Sequence, residues 1–401
     1  MKAKQLLIQE KAAYAKITPR CQYFGVCGGC ALQDLAYEDQ LTLKRERLQR
    51  AFARFDAAPP IELIGLEEPW RYRNKAEFTF GASEGRLVLG YHAANSFWRV
   101  VDLEDCLLLP EPAVRAAREV CALAVETGLP PYHPRTHQGW FRYLVVRSSR
   151  ATGRVLLGLI TTSGSRDVVQ RIAETVRARH PAVASVYWGV TNRFADVAVP
   201  DELTLLSGEE LLEDQIGPFR LRLHPLSFLQ PTSHQAERMY ELVTERLRAA
   251  VGGVAWDLYC GVGLVAFYLA RRAQWVYGID LEPTHLELAR LNASRNGVGN
   301  VEFRTGRVES LLSDRRFWLQ EARPDAVVVD PPRAGLHPDA RSSLLGARPK
   351  QIAYLSCNVQ SLVRDLQVLL TGFPRYRLSQ LTAFDMFPQT NHVETVALLE
   401  R

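Results

Sequence analysis

Two short polar stretches, Asp330-Pro331-Pro332-Arg333 and Ser356-Cys357-Asn358, each follow a β-branched apolar run, AVVV at 326–329 and IAYL at 352–355. Apolar runs that stop abruptly at polar residues predict buried strands. Ligands of open α/β sheets bind beyond the carboxyl ends of such strands. The first stretch offers a carboxylate on a backbone stiffened by two prolines, the second a thiol. The bland alternative for Cys357 is a small buried residue, the common state of a free cysteine. We read it as a nucleophile because the rest of the chain supplies what a nucleophile needs. A third motif, DLYCGVG at 257–263, follows a predicted strand and opens a helix. Its glycines, Gly261 and Gly263, permit a tight turn and close approach of backbone to a ligand. Gly261-x-Gly263-x-x-Ala266 satisfies the loose dinucleotide fingerprint. Asp280, at the end of the next strand, can hold ribose hydroxyls of NAD or of S-adenosylmethionine, and this motif alone leaves both open.

The seven cysteines are an odd number in a chain with no export signal, which argues against a disulfide framework. Three of them, Cys21, Cys27 and Cys30, cluster in CQYFGVCGGC, where two glycines let the backbone fold tightly enough for thiolates to converge. Zinc sites pair cysteines two to four residues apart, so the gap from Cys21 to Cys27 fits zinc poorly. A 4Fe–4S cluster takes four cysteines, commonly three local and one distant. The natural fourth is Cys106, leaving the strand RVVDLEDC. The rival, Cys121, sits on the apolar face of a predicted helix. The spacing is not the C-x3-C-x2-C of radical enzymes that cleave S-adenosylmethionine. We expect a metal cluster, iron–sulfur in preference to zinc.

These residues must be positioned by several units. A chain of 401 residues, 47% hydrophobic and 23% charged, predicts a globular protein of two or three domains. No apolar run approaches membrane-spanning length and no secretory signal is evident, so a cytoplasmic location and no membrane partner are expected. The formal charge of +5 is a weak sign of a nucleic-acid partner. Residues 1–58 read as an N-terminal iron–sulfur segment with a helix over 34–55. Residues 59–225 read as a central α+β RNA-binding domain: strands at 71–80, 86–93 and 99–106, a hairpin over 141–162, and helices near 111–128 and 166–179. Within it, Arg71, Arg73, Lys75, Arg142 and Arg147 lie among Trp70, Tyr72, Trp140, Phe141 and Tyr143. Cations interleaved with aromatics suit unpaired RNA, although ordinary sheet decoration looks the same. From 226 to 401 the pattern becomes βα repeats closed by two strands, which predicts a doubly wound, Rossmann-like sheet with mixed strands at its end.

A dehydrogenase has no need of DPP after its fourth strand, a thiol after its fifth and a cysteine cluster upstream. A methyltransferase acting on a poor carbon nucleophile can use all three. CQYFGVCGGC, RNKAEFTF, DLYCGVG, VVDPPRAGL, YLSCN and MFPQTNHVETVALL occur in this order, and together they resemble the 5-methyluridine RNA methyltransferases over residues 21–401. The resemblance implies an S-adenosylmethionine-dependent enzyme whose residues 226–401 are a Rossmann-like class I methyltransferase catalytic domain, with Cys21, Cys27, Cys30 and Cys106 holding a 4Fe–4S cluster. It implies cofactor contacts at Gln230, Tyr259, Asp280 and Asp330, a nucleophile at Cys357 and a base at Glu394. It also implies an RNA partner, no DNA, and a monomer.

Some positions depart from the family pattern. Phe228-Leu229 replaces the usual phenylalanine pair, Thr232 an asparagine, and Asp280 a glutamate. Thr305-Gly306-Arg307 stands where an acid commonly meets the adenine, which puts a side-chain contact at Arg307 in question. With 20 residues before the cysteine cluster and no room there for an extra β-barrel, the chain looks most like the 23S ribosomal RNA enzyme of the family whose target lies in a hairpin loop. The tRNA T-loop enzymes, or the other 23S ribosomal RNA uridine site of the family, are the alternatives. Rivals of other classes are a non-catalytic RNA-binding relative, an exocyclic-amine methyltransferase and an NAD-dependent oxidoreductase.

Overall fold

In a computed structural model the described residues are 3–314 and 323–401; Met1 and Lys2 of the N-terminal segment and residues 315–322 of the catalytic segment lie outside them. Among the described residues the largest sheet has eight strands. Their spatial order is Ile61–Ile64, Arg377–Phe384, Glu394–Glu400, Gln351–Ser356, Ala326–Val329, Val254–Leu258, Trp275–Asp280 and Val301–Thr305. The five strands between residues 254 and 356 are parallel. Glu394–Glu400 is antiparallel to both its neighbours. The order reverses between Val254–Leu258 and Ala326–Val329, so a crevice opens at the carboxyl ends of these strands.

The central strands are near-continuous apolar runs because both faces are covered. On one face Ala255, Val276, Val328 and Ala353 meet helices Ser233–Arg246, Leu264–Ala270 and Pro283–Arg295. On the other, Trp256, Ile279, Val327, Val329 and Tyr354 meet helices Pro338–Ala347 and Val359–Thr371, together with Leu48 and Phe52 of the early helix Tyr37–Phe52.

A seven-stranded sheet runs in the order Val100–Asp102, Arg86–His92, Lys75–Ser83, Phe141–Ser148, Val155–Thr161, Val183–Val190 and Glu202–Gly208. Helices Glu111–Glu126 and Arg166–Arg179 cover one face, packing on Phe78, Phe80, Leu144, Val146 and Leu157. The expected fold, a Rossmann-like sheet with an N-terminal α+β unit, is present. Two pieces of the expected central segment side with the other sheet. Ile61–Ile64 pairs in parallel with Arg377–Phe384. The hairpin Leu212–Ile216/Phe219–Leu223 buries Leu212, Phe219 and Leu221 against helices Ser233–Arg246 and Leu264–Ala270. Both are short, and their apolar residues alone do not say which sheet buries them. No helix among the described residues is long and apolar enough to cross a membrane.

The expected basic–aromatic RNA surface is corrected. Tyr72, Trp140, Phe141 and Tyr143 are core residues. Arg142 and Arg147 are 2% and 1% exposed. Arg71 pairs with Asp105 and donates to the carbonyls of Cys106 and Leu109. A strand covered on both faces carries inward cations that alternation cannot distinguish from outward ones. Arg73 and Lys75 do face a cleft.

The N-terminal segment grips the loop that leads into the last strand. Lys44, buried, reaches Asp385 at 2.7 Å and the Phe387 carbonyl at 3.1 Å. Tyr37 donates to the same carboxylate at 2.9 Å, and Ala31 and Leu32 N–H donate to the Gln389 carbonyl. Removing one partner of a buried ion pair strands the other charge and costs about 3–5 kcal/mol. Lys44→Met is therefore expected to lower urea stability by about that amount, and Lys44→Met with Asp385→Leu to recover much of it; a single variant within about 0.5 kcal/mol of wild type contradicts the clamp.

Candidate active site

The cleft begins with a backbone contortion. After strand Val254–Leu258, Tyr259, Gly261 and Gly263 all take positive φ (67°, 51° and 84°). At Gly263 a Cβ would fall 2.7 Å from the Phe303 ring, so only glycine brings the start of helix Leu264–Ala270 this close. A Cβ on Gly261 would meet nothing within 4 Å, which leaves open space beside its backbone.

Asp280 ends the next strand. It accepts hydrogen bonds from Gly261 N–H at 2.9 Å, Glu282 N–H at 3.0 Å and His285 Nδ1 at 3.3 Å. Burial alone would raise its pKa, but these donors outweigh burial and hold the carboxyl below its usual range. It stays ionised, with lone pairs suited to hydroxyl donors.

Gln230 sits in a loop fixed by the central unit. Asn74 N–H donates to the Pro231 carbonyl, and Asn74 Nδ2 to the Gln230 carbonyl at 2.8 Å and to Ser233 Oγ. Arg147 donates to the Ser227 carbonyl, which explains its burial. The Gln230 amide points to Asp330 Oδ2 at 3.5 Å. Asn358 caps helix Val359–Thr371 and donates to the Arg333 carbonyl at 2.9 Å, tying the DPPR loop to the cysteine loop.

Register places the last two residues. Ser356 pairs with Thr395 across the antiparallel strands, so Cys357 and Glu394 stand next to that pair at the same edge of the sheet. Gln230, Tyr259, Gly261, Asp280, Asp330, Cys357 and Glu394 all line one cleft of about 990 Å³, within the size range of ligand sites. Arg307 lines it as well. Sequence reasoning missed Tyr91, His285 and Glu309, which also line it. His285 carried a signal, one turn beyond Asp280 at a helix start; Tyr91 carried none.

The cleft is electrostatically tense. Glu394 is 1% exposed, and its Oε1 has no partner among the described residues. Burial first, and the Asp330 carboxylate second, push its pKa well above the usual range. Burial raises Asp330 from 3.8 to about 7 despite the Gln230 amide. Burial and both carboxylates push the Cys357 thiol up to about 11, while Arg333 pulls the other way. A thiolate at Cys357 is therefore opposed by burial and by both carboxylates, and favoured by Arg333.

A second, smaller cavity is lined by Cys21, Cys27, Cys30 and Cys106, with Tyr23, Phe24, Tyr91 and Leu108. Gly28 N–H bonds the His92 carbonyl at 2.9 Å, which lays the cysteine loop along strand Arg86–His92. Burial raises Cys27 to about 11 and Cys30 to about 12. Burial raises Cys106 too. Among the described residues no three or more His, Cys, Asp or Glu are arranged to hold a metal ion. The four thiols nonetheless line one small cavity. Cys121 is buried in the core and lines neither cavity.

A family model described as tRNA (uracil-5-)-methyltransferase matches residues 209–401. An uncharacterized RNA methyltransferase of Halalkalibacterium halodurans is 33% identical over 393 residues, 97% of this chain and 85% of its own. One of Listeria monocytogenes is 36% identical over 392 residues, 96% of this chain and 84% of its own. Among solved structures, the tRNA (uracil-54, C5)-methyltransferase of Pyrococcus abyssi, in complex with S-adenosyl-L-homocysteine, is 29% identical with a TM-score of 0.76, covering 96% of this chain and 85% of that one.

The raised carboxyls make a pH prediction. A carboxyl whose folded pKa exceeds its unfolded value stabilises the fold at low pH, and that stability is lost as pH climbs through the raised value. Relative to Glu394→Gln, the wild-type protein should lose urea stability as pH rises from about 5 to about 8. A difference between the two that is flat across this range contradicts the burial of an uncompensated Glu394.

Proposed function

This chain belongs to the S-adenosylmethionine-dependent RNA (uracil-C5)-methyltransferases, and from that premise we propose that Cys357 is its nucleophile and Glu394 its base. Their shared position at the edge of two paired strands, inside one cleft, carries the reading. Uracil C5 is a poor nucleophile. The Cys357 thiolate bonds to C6, and the electron pair of the C5=C6 bond moves onto C5 and the ring carbonyl. S-adenosylmethionine, when bound, supplies the electrophilic methyl group that C5 takes. Glu394 then accepts the C5 proton, the C5=C6 double bond re-forms, and the C6–S bond breaks to free Cys357. A carboxyl with a raised pKa suits a group that must receive and later release a proton. The target base must leave its stack to reach both residues. Gln230, Tyr259, Gly261, Asp280 and Asp330 hold the cofactor in this reading. The ionised Asp280 and the open space at Gly261 fit a ribose and its flanking groups.

The same reading gives Cys21, Cys27, Cys30 and Cys106 a 4Fe–4S cluster. What supports this reading is that the four thiols line one small cavity. Its role is structural, pinning the N-terminal segment to the central sheet. We keep 1–58, 59–225 and 226–401 as the division into iron–sulfur segment, RNA-binding unit and catalytic unit, with the strand at 61–64 and the hairpin at 212–223 exchanged to the catalytic side. For substrate we favour a uridine of 23S ribosomal RNA, on the resemblance of the motifs. The likeness to an archaeal tRNA enzyme over nearly the whole chain supports tRNA as the second reading.

Glu394→Gln should slow methylation by about 10²–10⁴-fold and accumulate a covalent adduct on unmodified RNA, whereas Cys357→Ala forms none. Sequencing the trapped RNA distinguishes ribosomal from transfer RNA. A Cys357→Ala variant that still methylates uridine overturns the mechanism. Cys106→Ser, reconstituted anaerobically, is expected to lose iron content and the visible absorbance of a cluster; retention of both rules Cys106 out as a ligand.

A further inference from the structure

The core position of most of the predicted basic–aromatic residues leaves open where the central unit meets RNA. Three large rings elsewhere answer it. Phe97, Trp98 and Phe194 are 80%, 49% and 71% exposed. They come from two separate loops, and a third, at 132–138, joins them. His133 stacks parallel to Trp98 at 6.4 Å, Arg135 lies over the Trp98 ring at 4.5 Å, and His137 contacts Phe194 at 4.2 Å between ring centres.

These rings are held out on ordered supports. Beneath Phe194, the buried guanidinium of Arg142 donates to the carbonyls of Thr191, Arg193 and Ala195 at 3.2, 2.6 and 2.9 Å. Ser96 Oγ accepts from the N–H groups of Trp98 and Arg99, fixing the other turn. The Arg142 guanidinium also lies over the Tyr132 ring at 4.1 Å, so the support beneath Phe194 is fixed on two sides. Rigid exposed rings lose little entropy when something stacks on them.

The patch is continuous with the active-site cleft. Lys75 and Glu77, which line the cleft, share one face of strand Lys75–Ser83 with Thr79. Thr79 Oγ1 meets His92 Nε2 at 3.4 Å, and His92 in turn lies 3.9 Å from Asp196, two residues past Phe194. From Lys75 to Thr79 is about 14 Å along the strand, the reach of two or three nucleotides. The nearby carboxylates are occupied: Glu77 by Lys75, Asp196 by the Tyr143 hydroxyl and Asp201 by Arg193. Arg99 and Arg135 remain as exposed cations beside the rings.

We propose that Phe97, Trp98 and Phe194 form a stacking platform for unpaired nucleotides flanking the target uridine, with Arg99 and Arg135 on their phosphates. Stacking on a ring is indifferent to base identity, so the platform selects an open single strand over a duplex. The inference rests on RNA as the substrate and on neither Cys357 nor Glu394.

The test measures binding alone, in full-length Cys357→Ala protein so that no covalent capture contributes. Fluorescence anisotropy compares a short oligouridylate with an RNA duplex of equal length. Phe97→Ala, Trp98→Ala and Phe194→Ala are each expected to weaken oligouridylate binding about tenfold while leaving duplex binding and thermal melting unchanged; Trp98→Phe should retain most of the affinity. Photocrosslinking of 5-bromouridine RNA should mark Trp98. Wild-type affinity in the triple variant overturns the proposal, as does crosslinking that spares all three rings. So does a wild-type dimer in sedimentation that the triple variant dissociates, since the rings would then serve a second copy of the chain.

Discussion

The antiparallel register between Gln351–Ser356 and Glu394–Glu400 is the constraint on which this site depends. Side chains alternate across a strand, so a slip of one residue would turn Glu394 to the opposite face and away from Cys357. The loop from Asp385 to Val393 enters that last strand and must be held if the register is to hold. It is gripped from a distance: Lys44 and Tyr37 on Asp385, Gln40 and the Ala31–Leu32 backbone on Gln389, and Tyr72 on the Pro388 carbonyl. Chain segments more than 300 residues apart in sequence therefore fix the position of one carboxylate.

The same packing gives that carboxylate its chemistry. Glu394, Asp330 and the Cys357 thiol share one corner of the cleft, where burial favours their neutral forms. Arg333 is the cation that offsets them at Cys357. Asp280, a few residues from an equally enclosed turn, goes the other way because two backbone N–H groups and a histidine face it. One end of the cleft thus favours protonated groups, and the other a fixed negative charge. The two environments separate along the strand ends of a single sheet.

Much of this was legible in sequence because the relevant signals are local. The runs 326–329 and 352–355 form strands with Asp330 and Cys357 just past or at their ends. DLYCGVG makes the turn its glycines require. The four cysteines line one cavity although 76 residues separate Cys30 from Cys106. What was not legible depended on which sheet a segment joins. IELI at 61–64 has the composition of any short strand, and only its pairing with Arg377–Phe384 assigns it to the catalytic sheet. Arg142 and Arg147 read as surface cations in an alternating strand, yet each is buried and donates to backbone carbonyls of a loop distant in sequence. Phe97 and Phe194 had no pattern to mark them, since exposure in an irregular loop leaves no period.

The most direct measurement is the mass of the peptide that 5-fluorouridine RNA captures. Fluorine at C5 cannot leave as a proton, so a thiol that has added to C6 and seen the methyl transferred stays bound. With S-adenosylmethionine and anaerobically purified protein, the adduct should appear on the tryptic peptide of residues 351–364, at Cys357, carrying one added methyl group. An adduct on another residue, or none while Cys357→Ala still methylates unmodified RNA, would contradict the pairing of Cys357 with Glu394 as the reacting centre.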